Sequence, residues 1–146
     1  MSKKFKYLGI LVMVAALASI VVGGIFLQQG FSKEAYLSGV MRQEQITMEG
    51  VDGVVDTAAE AQLAGDTVRE HRHGISPTYG DLLGDGRFDP SNLTQLSYAQ
   101  ALNLENYLYL AVASFGVFTV VKGVGAFMII TGLGLGATGY GLYSRE

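Results

Sequence analysis

The chain has 146 residues, of which 49% are hydrophobic and 20 are glycine, with no cysteine and a formal net charge of -3. The missing cysteine excludes disulfides, thiolate metal sites and a lipid-modified cysteine, and the slight acidic excess without any basic stripe excludes nucleic acid as a partner. The mean hydropathy of +0.31 is gathered into two nearly uncharged stretches, which is a membrane profile.

Taken in chain order, residues 1–6 carry Lys3, Lys4 and Lys6, and a short lysine-rich flank of this kind stays cytoplasmic. The charge-free stretch from Tyr7 to Leu27, "YLGILVMVAALASIVVGGIFL", follows. At 1.5 Å per residue it is long enough to cross a hydrocarbon core of about 30 Å, so 7–27 is predicted as the first transmembrane helix. A signal peptide is the rival reading, since Ala16-Leu17-Ala18 has the form of a cleavage site. The apolar run continues for nine residues past Ala18, more than a leader requires, which favours an uncleaved signal anchor and leaves cleavage open.

Residues 28–106 hold twelve of the thirteen acids and five of the ten basic residues, the balance of an extracytoplasmic stem and cap. "QQGFSKEAYLSGVMRQEQ" continues the first helix for several turns, and "ITMEGVDGVV" reads as a turn or short extended piece. Thr57 and Glu60 form a capping box, predicting a helix from there to about His73 with Gly74 as its stop. The stretch after Gly74 is loop by composition, and Asp89-Pro90 suits an N-cap with a first-turn proline, so a second long helix is expected from about Pro90. Its seam is predicted as Leu93, Ser97, Ala101, Leu104, Leu108, Ala111 and Phe115. Residues 107–122 form a stem helix entering the membrane, and 123–143 is the second transmembrane helix. Lys122 is an interface anchor extending its ammonium toward the headgroups, and 144–146 is a cytoplasmic tail. A re-entrant hairpin broken at Gly123 is the alternative, although no proline or polar cluster accompanies that break.

Seven glycines lie between Gly123 and Gly141, where each costs about 1 kcal/mol relative to alanine in a helix interior. Spacing explains them. Gly125, Gly132 and Gly139 recur every seven residues with Gly136 between, and Gly9, Ala16, Gly23 and Gly30 recur every seven on the first span. Small residues at heptad spacing let two antiparallel helices approach closely enough for van der Waals packing where lipid supplies no hydrophobic drive. Gly123, Gly134 and Gly141 lie off that face and point to a further neighbour.

The chemistry-bearing residues are sparse. Asp66, Glu70 and His73 share a helix face beside His71, but a zinc or di-iron centre needs more ligands than this chain's two histidines help to provide. Asp85, Asp89 and Asn92 lack EF-hand spacing, Asn92-Leu93-Thr94 matches a glycosylation sequon by pattern alone, and Tyr98, Tyr107 and Tyr109 suit stem packing and interface anchoring.

The segments "EQITM", "AEAQLAGDTVREH" and "YAQALNLENYLYLAVASFGV" resemble a group of small bacterial two-span membrane proteins of the type found in actinobacteria and Chloroflexota. That resemblance implies the order of anchor, short "ITV"-like stretch, Ala- and Gln-rich helix, and long helix entering the second span. Some of these proteins carry a ring-opening dioxygenase label, which this chain does not support: a non-haem iron site wants two histidines and a carboxylate correctly disposed. The expectation is an all-α membrane protein: an antiparallel two-helix transmembrane hairpin with long extramembrane stems and a small helical cap, in the bacterial plasma membrane with both termini cytoplasmic. With no catalytic constellation and no cofactor expected, its partners are the lipid bilayer and either itself or a larger membrane protein. An extracytoplasmic ligand-binding or sensing module is the alternative, and a metal-dependent enzyme using Glu70, His71 and His73 a third reading.

Overall fold

The computed structural model describes residues 3–144, which form helices joined by turns, with no strand among them. Met1, Ser2, Arg145 and Glu146, from the two expected tails, lie outside the described residues. The helices are α1 (Lys3–Glu44), α2 (Ala58–Ile75), α3 (Tyr79–Leu83) and α4 (Leu93–Ser144). Of these, α1 and α4 are long and apolar enough to cross a membrane. The chain divides into two compact units, one of residues 1–35 with 117–146 and the other of residues 36–116.

In the first unit, α1 and α4 pack with opposite chain direction. Gly9 meets the backbone of Gly139 and Tyr143, Ala16 that of Gly132, and Gly23 that of Gly125, so numbers rise on one helix as they fall on the other. The buried residues are small ones at heptad spacing, while large apolar side chains such as Leu11, Leu17, Phe127 and Ile130 are exposed. The Ser19 hydroxyl donates to the Met128 carbonyl at 2.8 Å across the same seam.

The second unit is built around Met41, Val55, Ala61, Ala64, Val68, Tyr98, Leu108, Ala111 and Phe115. The turn after α1 starts at Gln45, whose φ of 51° ends the helix in the left-handed region, and Gly50 and Gly53 supply the further positive φ values. It folds back so that the Val55 N–H donates to the Ile46 carbonyl at 2.9 Å and the Ser38 hydroxyl to the Asp56 carbonyl at 2.8 Å. Arg42 also pairs with the Asp56 carboxylate. The capping box is present: the Glu60 N–H donates to Thr57 Oγ1 and the Thr57 N–H to Glu60 Oε2 at 3.0 Å. The Asp56 N–H, donating to Glu60 Oε2 at 3.1 Å, and then the Thr57 hydroxyl hold the Glu60 carboxyl below its ordinary range.

Three sequence expectations change. Gly74 does not stop α2, which runs to Ile75; Ser76 is the extended C-cap, as a residue before proline tends to be. Within the expected loop, Thr78 caps the single turn of α3, its hydroxyl accepting from the Asp81 N–H at 3.1 Å. Finally, α4 opens at Leu93 rather than at Pro90. Asp89 spends its carboxylate on the Ser91 N–H and hydroxyl, and Asn92 Oδ1 accepts from the Thr94 and Gln95 N–H groups instead.

Candidate functional site

The predicted packing residues are brought together along the α1/α4 seam, and the degree of closeness differs among them. A Cβ at Gly23 would lie 2.6 Å from the Gly125 carbonyl oxygen, and one at Gly125 would lie 2.7 Å from the Gly23 carbonyl. A Cβ at Gly9 would meet the Gly139 carbonyl at 2.8 Å, and one at Gly132 the Ala16 carbonyl at 2.9 Å. Gly139 is equally confined, by the Gly9 carbonyl at 2.9 Å and by Met13. Backbone cannot step aside as a side chain can, so these positions demand glycine. Gly136 is looser: its Cβ would sit 3.7 Å from that of Ala16, an ordinary contact. Gly116, Gly123, Gly134 and Gly141 on α4, and Gly24 on α1, face open space.

Gly30 serves a different purpose. Its missing side chain admits the stem of Lys122, whose Cγ lies 2.5 Å from where a Cβ would stand. The ammonium then reaches Glu34, one turn further along α1, at 2.5 Å and stands 5.0 Å from the Phe31 ring centre. Lys122 thus finds a carboxylate on the neighbouring helix where the sequence suggested a free reach toward headgroups.

In the second unit, α2 lies on α4 through a polar cluster that sequence reasoning missed. Arg72 Nε donates to Glu105 Oε2 at 2.6 Å, with both side chains about nine-tenths buried. Its other nitrogens reach the Tyr98 hydroxyl and His73 Nε2, and the guanidinium stands 4.9 Å from the Tyr98 ring centre. The Glu105 carboxylate holds Arg72 firmly charged, above its ordinary range. A signal existed in the sequence: Ala61, Ala64, Val68 and Arg72 recur at helical spacing, which puts an arginine on the apolar face of α2. About two turns before Arg72 on α2, Gly65 admits the Tyr109 ring, whose Cε1 lies 3.1 Å from the missing Cβ. The Tyr109 hydroxyl donates to Asp66 Oδ1 at 2.6 Å. Burial, and then that bond, push the Tyr109 hydroxyl up to about 12, while the same bond lowers Asp66.

The predicted seam on α4 holds in its lower part and shifts at its start. Leu108, Ala111 and Phe115 are buried, but Leu93 is 77% exposed and Ser97 is exposed; Tyr98 and Glu105 are buried in place of Ser97 and Leu104. As for metal chemistry, no group of three His, Asp or Glu side chains able to hold an ion occurs among the described residues. Asp66 is taken up by Tyr109, Gln62 and Arg69, and His73 by Arg72.

A groove of about 620 Å³ lies between the turn at Glu44 and Ile46 and the α4 residues Gln100, Asn103, Leu104, Asn106, Tyr107 and Leu110. The Tyr107 hydroxyl is buried beside it without a hydrogen-bond partner. Leaving such a group unpaired costs about 1–3 kcal/mol. Burial, with the Glu44 charge, also raises its pKa above the ordinary tyrosine range. Compared with protein-family models, with curated proteins and with solved structures, the chain matches none.

Proposed function

We propose that the chain is a structural or accessory integral membrane protein that works through helix packing and contacts with other proteins. The observation that carries this reading is the backbone-to-backbone approach of two charge-poor helices at Gly23 and Gly125, combined with glycines on other faces of α4 that meet nothing within the chain. In lipid, small residues on a helix face let a neighbouring backbone come close, and glycine facing lipid chains gains nothing. Gly123, Gly134 and Gly141 are therefore assigned to a neighbouring protein. In the proposed topology 7–27 and 123–143 span the bacterial plasma membrane as a hairpin, both termini are cytoplasmic, and 28–106 forms the extracytoplasmic stem and cap. This arrangement agrees with the resemblance to small two-span proteins and with the lysines before the first span.

The test is extraction from native membranes in mild detergent, followed by chemical cross-linking and mass spectrometry. A ladder of homo-oligomers or one constant larger partner supports the proposal. A lone monomer at native expression, with no cross-linked neighbour, refutes it.

A further inference from the structure

Where the start of α1 meets the end of α4, Lys6, Tyr7 and Ile10 of α1 and Tyr143 of α4 line a cleft of about 230 Å³. Its walls are fixed by backbone contact, since a Cβ at Gly9 would stand 2.9 Å from the Tyr143 nitrogen. The rim is polar. Lys6 makes no ion pair among the described residues, and neither the Tyr7 nor the Tyr143 hydroxyl makes a hydrogen bond among them. The chain has no acid within residues 1–33 or 106–144, and residues 1–6 with 144–146 set Lys3, Lys4, Lys6 and Arg145 against Glu146 alone. Below the rim the surface turns apolar: Ile10, Val14, Leu17 and Val21 recur at spacings of four, three and four on one face of α1, and all four are exposed.

We infer that this cleft holds the headgroup of one anionic phospholipid of the cytoplasmic leaflet, with an acyl chain laid along Ile10, Val14, Leu17 and Val21. The inference rests on the membrane reading and orientation above. A phosphodiester offers a negative charge and acceptor oxygens, and the cleft offers the matching set: an ammonium with three donors and two hydroxyls. Tyrosine sits at headgroup level with its ring toward the hydrocarbon, and basic pockets between helices on the cytoplasmic side bind anionic headgroups. Charge selects the lipid class. A zwitterionic lipid brings its own cation to a lysine-rich end, whereas a phosphatidylglycerol brings only the phosphate charge and uncharged hydroxyls. The exposed aliphatic track selects a lipid over free phosphate, which would leave those side chains uncovered.

The test is native mass spectrometry of the full-length protein from dodecyl maltoside micelles holding equal amounts of dioleoyl phosphatidylglycerol and dioleoyl phosphatidylcholine. One phosphatidylglycerol should be retained in preference to phosphatidylcholine by about fivefold or more, the weight of one lysine at an anionic headgroup. Glycerol phosphate in excess should not displace it, having no chain for the track. Lys6→Gln should lower the preference by about fivefold, and Lys33→Gln, an exposed lysine on the same helix outside the cleft, should leave it unchanged. Both side chains are exposed, so both variants should keep the helical circular dichroism of the parent. No preference for phosphatidylglycerol, an undiminished preference in Lys6→Gln, an equal loss in Lys33→Gln, or displacement by glycerol phosphate overturns the inference, while a chain retained in carbonate-washed membranes keeps the membrane reading. A chain released by the carbonate wash refutes that reading, and the inference with it.

Discussion

The closest backbone approach between the two long helices gives the sharpest prediction, comparing Gly23→Ala with Gly134→Ala. At Gly23 the new methyl would stand 2.6 Å from the Gly125 carbonyl oxygen, 2.9 Å from Ile129 Cγ1 and 3.1 Å from the Ile129 nitrogen. A comfortable carbon–oxygen approach is about 3.3 Å or more, so the helices must separate by roughly 0.7 Å at this point. A gap of about 0.5–1 Å forfeits a quarter to a half of the dispersion energy of the contacts it opens. Overpacking of this kind costs about 1–3 kcal/mol, and the neighbouring backbone approach at Gly125 leaves no slack to absorb it. At Gly134 the same methyl meets nothing, and alanine gains up to about 1 kcal/mol of helix propensity. Unfolding of the purified protein in mixed dodecyl maltoside and SDS micelles, followed by circular dichroism, should therefore destabilise Gly23→Ala by about 1–3 kcal/mol and leave Gly134→Ala unchanged or slightly more stable. If the two variants unfold within about 0.5 kcal/mol of each other, the argument from backbone approach is wrong.

Glu105→Gln leaves Arg72 charged in a buried site and should cost about 3–5 kcal/mol, whereas the double variant Arg72→Met, Glu105→Leu should recover most of that loss in the same unfolding assay. Lys122→Met strands Glu34 beside Phe31, and adding Glu34→Gln should return melting close to wild type, a coupling read from a double-mutant cycle. Tyr109 releases its proton at about 12 when folded and near 10.0 when unfolded, so its contribution is complete below pH 10 and drains as pH climbs from 10 to 12; Asp66, lowered from 3.8, contributes above that value and loses its contribution as pH falls below it. Tyr109→Phe should flatten both limbs of a plot of melting temperature against pH, and an unchanged plot would dismiss the bond. For topology, cysteine at exposed Ser91 should react with an impermeant maleimide in intact cells and cysteine at Ser144 only after lysis; the reverse pattern would invert the orientation.

Local and periodic features were legible in the sequence, and pairings across long separations were not. The capping box of Thr57 and Glu60 is written within four residues, and the exposed or confined state of each glycine follows from where it falls in a heptad count. The start of the α4 seam shifts from Ser97 to Tyr98 because the Tyr98 ring is covered by Arg72 of α2 and by Tyr79, partners that a residue count along one helix does not contain. The Arg72–Glu105 pair joins residues 33 apart, and only the docking of α2 on α4 selects Glu105 from the twelve acids of the central segment. The groove at Tyr107 was invisible for a further reason: its residues on α4 are ordinary for a helix.

Helix α4 has 52 residues and two charges, Glu105 and Lys122. That is more than twice the roughly 20 residues that span a bilayer. Hydropathy alone therefore leaves its axial position nearly degenerate, since sliding by a turn trades one uncharged turn for another. In the proposed topology Lys122 stands at the start of the 123–143 span, and drawing it to the bilayer centre costs about 2.5–3.5 kcal/mol. Lys122 is engaged by Glu34 of α1. Sliding α4 along α1 would break that pair, so in this topology a membrane of altered thickness is met by bilayer thinning or thickening around the two helices before one moves past the other.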